Sequence, residues 1–119
     1  MYAVIFEVWP NRNGKKEYLD IASNLKLFLT EQKGFISIER FQSLSDENKL
    51  LSLSFWEDEE AIALWRNLFE HRVAQQKGRK ELFDDYRIRV SKVVRDYTMN
   101  KREEIPEDSK KINISKERF

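Results

Sequence analysis

Five side chains in the second half of the chain are of types that could do chemistry together: Trp65, His71, Gln75, Tyr86 and Arg89. His71 is the only histidine, and imidazole is the side chain that exchanges a proton near neutral pH. Gln75 follows four residues later, so on an unbroken helix the two share a face with Leu64 and Leu68. That face could take up a proton or hydrogen-bond a ligand oxygen. Arg89 alternates with Arg87 and Arg95 along a strand-like run headed by Tyr86, and its fixed fork of donors suits a carboxylate or phenolate. Trp65 could wall an apolar cavity. Plainer readings stand beside these. At about 100° per residue, Trp65 lies with Phe69 and Arg72, about 120° around the axis from His71. The two share a pocket only if the helix kinks or the pocket wraps around it. His71 also reads as a polar residue closing the edge of the core, and Trp65 as a core residue. The arginines also read as a strand edge ion-paired to Glu7 or Glu39.

The elements that must position these residues follow from periodicity. Residues 2–9 are rich in aromatic and β-branched side chains and end at Pro10, which predicts a strand. Both of its faces are largely apolar, so both faces of the sheet should be covered. Tyr18, Ile21, Ala22, Leu25, Phe28 and Leu29 recur at helical spacing, with Asn13 as a plausible N-cap and Gly34 suited to the left-handed position after the helix. Residues 35–43 and 49–57 alternate as strands around the polar connection Ser45-Asp46-Glu47-Asn48. Asp58 is placed to cap a second helix, with Glu59 and Glu60 in its first turn. That helical pattern runs to about Phe83, with an interruption near Asn67 or Gly78. Residues 86–97 form the last strand. The order βαββαβ predicts an α+β, ferredoxin-like domain with an antiparallel sheet and helices on one face.

Composition narrows the function classes. One domain fits in 119 residues, and a net charge of +1 gives no electrostatic footprint for nucleic acid. The absence of cysteine removes disulfides, thiolate metal sites and cysteine nucleophiles, and a single histidine removes a multi-histidine metal cluster. The first residues carry no basic n-region, and no apolar run is long enough to span a bilayer. The expectation is a cytoplasmic protein with no membrane partner. Gly14, Gly34 and Gly78 are isolated turn residues rather than a phosphate-binding loop. Residues 101–119 hold six basic and five acidic side chains and few large apolar ones, so residues 98–119 read as a tail unable to fold alone. It is expected to be disordered, or docked on a partner copy through Ile112, Ile114 and Phe119. Asn113-Ile114-Ser115 matches a glycosylation acceptor only by chance without a secretory signal.

A helix carrying Trp65 and His71, a Gly78-Arg79 turn and the strand Tyr86-Arg87-Ile88-Arg89-Val90 together resemble the antibiotic biosynthesis monooxygenase (ABM) domain family. The resemblance covers residues 2–97 as a pattern of elements. It implies a dimeric α+β barrel, and the apolar second sheet face independently points to a homodimer, since a monomer would expose it as a large patch. It also implies a cofactor-independent monooxygenase of a small phenolic or quinol substrate, whose own anion reacts with oxygen. In that reading Trp65 walls the cavity, His71 or Gln75 handles a proton or the substrate oxygen, and Tyr86 or Arg89 steadies the anion. The alternatives are a non-catalytic dimeric ligand-binding protein and a haem-degrading monooxygenase. The haem-degrading branch resembles this chain at Trp65, but it places an asparagine where Glu7 stands. Its haem-ligating histidine falls at Gln75, so His71 is one turn short.

Overall fold

β1 (Tyr2–Pro10) is the strand around which the domain is arranged. Its alternate residues Val4, Phe6 and Val8 are fully buried, because the pleat sends them to the face that two helices cover. A computed structural model describes residues 1–76 and 78–110. Along the chain β1 is followed by α1 (Lys15–Leu29), β2 (Phe35–Gln42), β3 (Leu50–Trp56), α2 (Glu59–Gln76), the single turn α3 (Arg79–Leu82) and β4 (Phe83–Lys92). The strands form one sheet in the order β2-β3-β1-β4, with every neighbouring pair antiparallel. This is the βαββαβ, ferredoxin-like α+β arrangement that the periodicity predicts.

Local chemistry sets the joints. Gly14, rather than Asn13, stands at the N-cap of α1. Asn11 Oδ1 accepts the Gly14 N–H at 2.6 Å and so fixes the turn before the helix, which has no side-chain cap. Gly34 has φ +89°, a left-handed turn that favours glycine. A Cβ there would stand 2.8 Å from that of Ala61. Asp58 Oδ1 accepts the Ala61 N–H at 2.9 Å and so caps α2. α2 continues without a break through Asn67. The interruption falls at Gly78, with φ +81°.

Beneath the helices lies one core. Tyr18, Ile21, Leu25 and Leu29 of α1 meet Ile62, Trp65, Phe69 and Val73 of α2 over the strand residues Val4, Phe6, Val8, Leu50 and Trp56. Burial of each large apolar side chain contributes about 1.5–3 kcal/mol. Phe28, expected in the α1 stripe, is 44% exposed. Ser54, one of two buried serines in β3, accepts the Trp56 indole N–H at 2.8 Å, which satisfies the ring.

β4 begins three residues earlier and ends five residues earlier than residues 86–97. The end has a simple cause. Lys92 pairs with Tyr2, the first residue of β1, and one further bond follows, from the Val93 N–H to Met1 O at 3.0 Å. Residues 98–110 fold back locally: the Thr98 N–H donates to Lys101 O at 2.7 Å, Arg102 stands 5.6 Å from the Tyr97 ring centroid, and Ile105 is buried. Ile112, Ile114 and Phe119 lie outside the described residues. No helix among the described residues is long and apolar enough to cross a membrane.

Candidate active site

α2 sorts its side chains by the helical period. Ala61, Ile62, Trp65, Phe69 and Val73 are buried, whereas Arg66, Asn67, Glu70, His71 and Gln75 are exposed. His71 therefore faces away from Trp65, as the angular argument requires for an unkinked helix. Trp65 is 4% exposed, stacked on Phe69 at 5.7 Å and 13° and edge-on to Phe6 at 6.0 Å.

Phe6 is the hub that links Trp65 to β4. Its ring meets Tyr86 at 5.6 Å and Phe69 at 5.3 Å. Trp65 and Tyr86 are thus brought to opposite sides of one aromatic cluster. Arg89 is not brought there. It sits on the other sheet face, where it pairs with Glu7, and Lys49 holds the same carboxylate at 2.5 Å. Lys49, with Arg89, keeps the Glu7 carboxyl below its ordinary range. The ion-paired reading of Arg89 holds.

Where α2 stops, Gly78 turns the chain into α3, and Leu82 is driven wholly into the core. The Leu82 carbonyl accepts the Asn11 N–H at 2.9 Å. A Cβ on Gly14 would come within 2.5 Å of Leu82 Cα, so only glycine admits this close approach. Between the end of α2, α3 and the start of β4 lies a groove of about 920 Å³. Phe69, Val73, Phe83 and Tyr86 give it an aromatic and apolar floor, and Glu70, Arg79, Lys80, Glu81, Asp84 and Asp85 line its rim. The Phe83 and Tyr86 rings meet edge-on at 5.5 Å. Arg79 and Tyr86 both line the groove, and the Tyr86 hydroxyl beside it, with help from Glu70, raises the guanidinium above its ordinary pKa.

Chemically, the guanidinium offers fixed donors and the Tyr86 hydroxyl can donate to a ligand oxygen. A polarised donor over an aromatic floor is the arrangement that orients a small ring bearing oxygen. Neither Trp65 nor His71 lines this groove, and among the described residues no group of acids and histidine is placed to hold a metal ion. Haem fits poorly here, because Trp65 is locked in the core and His71 is exposed on the far side of the helix.

Residues 1–77 match the family model described as antibiotic biosynthesis monooxygenase. The chain belongs to this family. The match includes Trp65 and stops before Arg79 and Tyr86, so those two stand outside it. A relative from Pyricularia oryzae, described as jasmonate monooxygenase ABM, is 44% identical over 93 residues, which are 78% of this chain and 43% of the relative. The chain thus spans less than half the length of that protein. The YqjZ protein of Bacillus subtilis is 32% identical over 94 residues, 79% of this chain and 80% of its own length. Among solved structures, the N63A mutant of SnoaB, a cofactor-independent oxygenase from Streptomyces nogalater, superposes with a TM-score of 0.63 at 12% identity. It covers 83% of this chain and 96% of that one. At that identity the likeness shows the ABM fold alone.

The sequence marked Arg79 only as part of the Gly78-Arg79 turn and not as a site residue; its signal was a cation directly after a glycine that ends a helix.

Proposed function

We propose that this ABM protein is a monooxygenase of small phenolic or quinol substrates that needs no bound cofactor. The Tyr86–Arg79 pair at the edge of an aromatic groove is the observation that carries this reading. A phenol and dioxygen become a quinone and water: one oxygen atom enters the ring, the other leaves as water, and the substrate supplies all four electrons. Phe69, Val73 and Phe83 hold the ring, with Trp65 packed behind Phe69. The Tyr86 hydroxyl hydrogen-bonds the substrate oxygen, and Arg79 steadies the anion formed when the substrate passes its proton to water at the open groove. Of the residues the sequence singled out, Tyr86 stays in the proposed site, and Trp65 supports it from behind Phe69 without walling the groove. The hydrogen bond to the substrate oxygen expected of His71 or Gln75 passes to Tyr86, and the role of Arg89 to Arg79.

The protein works as a cytoplasmic homodimer in this reading. Ile5, Leu51, Leu53 and Phe55 line the uncovered sheet face, and a second copy packed there removes them from water.

Oxygen uptake over a panel of phenols and quinols, with jasmonate included because the Pyricularia relative is named for it, tests the reading. Turnover with at least one member, slowed about 100-fold in Tyr86→Phe, is the expected result. Binding of a panel member that is recovered chemically unchanged under oxygen would make the protein a ligand carrier instead.

A further inference from the structure

Arg40 is a half-buried cation on the edge strand β2. It pairs with Ser52 in the β2–β3 ladder, and the pleat sends it, like Ile38, beneath α1. Its guanidinium carbon stands 5.8 Å from the centroid of the buried Tyr18 ring. Its Nε is buried with no hydrogen-bond partner, and no carboxylate among the described residues forms an ion pair with it. Arg102 also has a buried, unpaired Nε, but its Nη1 closes the tail onto Thr98 O at 3.3 Å. An unpaired donor on a cation is costly inside a protein, and an anion relieves that cost.

A cavity of about 20 Å³ adjoins Arg40, walled by Phe6, Ala22, Trp65 and Phe69. It has room for an occupant about the size of a water molecule, which needs roughly 10–15 Å³. Lys26 also lines it, and no acid does. Burial pushes the Tyr18 phenol above its ordinary pKa against the opposing pull of Arg40, so Tyr18 stays neutral and supplies no counter-charge.

We infer that this cavity is a site for a small oxyanion, held by Arg40 Nε. Its role rests on the monooxygenase reading. When the substrate anion passes one electron to dioxygen, it becomes a neutral radical and dioxygen becomes superoxide, with the charge of −1 conserved. Superoxide is small enough for the cavity, and Phe69 lines both this space and the substrate groove. Arg40 is the cation that meets the charge as it appears on oxygen.

Formate, titrated at constant ionic strength, is the probe, and NMR reads the Arg40 Nε–H and the Trp65 indole N–H. Both resonances should move and saturate. Arg40→Gln should weaken the Trp65 response by about tenfold or more, as loss of a charge-assisted bond requires. Ala22→Leu should abolish that response by filling the space while Arg40 remains, which covers the case in which Arg40→Gln fails to fold. No movement up to about 100 mM formate, or an equal Trp65 response in Arg40→Gln, would overturn the site. In turnover, Arg40→Gln should lower kcat/KM for dioxygen by about tenfold or more while the aromatic substrate's KM stays unchanged. Formate binding with unaltered oxygen kinetics would overturn the role of the site in oxygen chemistry. If the wild type turns over no substrate, the monooxygenase reading falls and the formate result alone decides the site.

Discussion

The two faces of the single sheet are built from the same strands and to different ends. On the helix side, Phe6 touches the rings of Tyr18, Trp65, Phe69 and Tyr86 at 5.3–6.3 Å, and the cluster is sealed. On the other side, one residue along, Ile5 and Glu7 alternate with them, and Glu7 sits between Lys49 and Arg89. Aromatic rings packed edge to edge fix one geometry, which a site for orienting a small ring needs. An apolar face interrupted by an ion-paired cluster can meet water or a second sheet. In the proposed reading, chemistry belongs to the helix side and association to the open side.

The sharpest contrast comes from truncating one residue on each face. Phe6→Ala should cost about 3–5 kcal/mol in urea unfolding and blur the positions of both Trp65 and Tyr86. Leu53→Glu, on the open face, should leave monomer stability within about 0.5 kcal/mol yet convert the proposed dimer to monomer in sedimentation. Equal losses of stability from both would erase the distinction. Next in size is Gly34→Ala, which strains a left-handed turn and presses on Ala61. It should cost about 1–2 kcal/mol. Asp58→Ala should cost about 1 kcal/mol by uncapping α2, read from the shift in the urea midpoint.

The smallest effect belongs to the open face and depends on pH. Lys49 and Arg89 depress the Glu7 pKa below the ordinary range of a glutamate. A depressed folded-state pKa contributes stability that is present above the unfolded value and lost as pH falls through the folded one. Glu7→Gln should therefore flatten part of the acid limb below about pH 4.5 and leave the neutral range nearly unchanged, as pH-dependent melting curves would record.

The helix side was the more legible of the two from sequence. Alternation in residues 2–9 and the stripe from Tyr18 to Leu29 are direct imprints of burial, and Gly34, Asp58 and Gly78 mark the joints. The β4 boundaries were less legible. Asp84 and Asp85 hide the start of the strand, and its end depends on where β1 begins, which is a fact about pairing. The angle between Trp65 and His71 was readable from helix geometry, and it foretold their separation. Arg79 and Arg40 were not singled out, because each lies within a run of surface-type charges. Arg40 shares its strand parity with Ile38, and that was the available clue. What decides its environment is α1 closing over it, a contact between distant segments.

The most direct test of the central claim is a single turnover under ¹⁸O₂ with the best substrate from the panel. The account predicts one labelled oxygen atom in the product, and the same product formed about 100-fold more slowly by Tyr86→Phe. It predicts a rate close to wild type for His71→Ala. Unlabelled product, or equal rates in wild type and Tyr86→Phe with a deep loss in His71→Ala, would contradict it and move the chemistry to the outer face of α2.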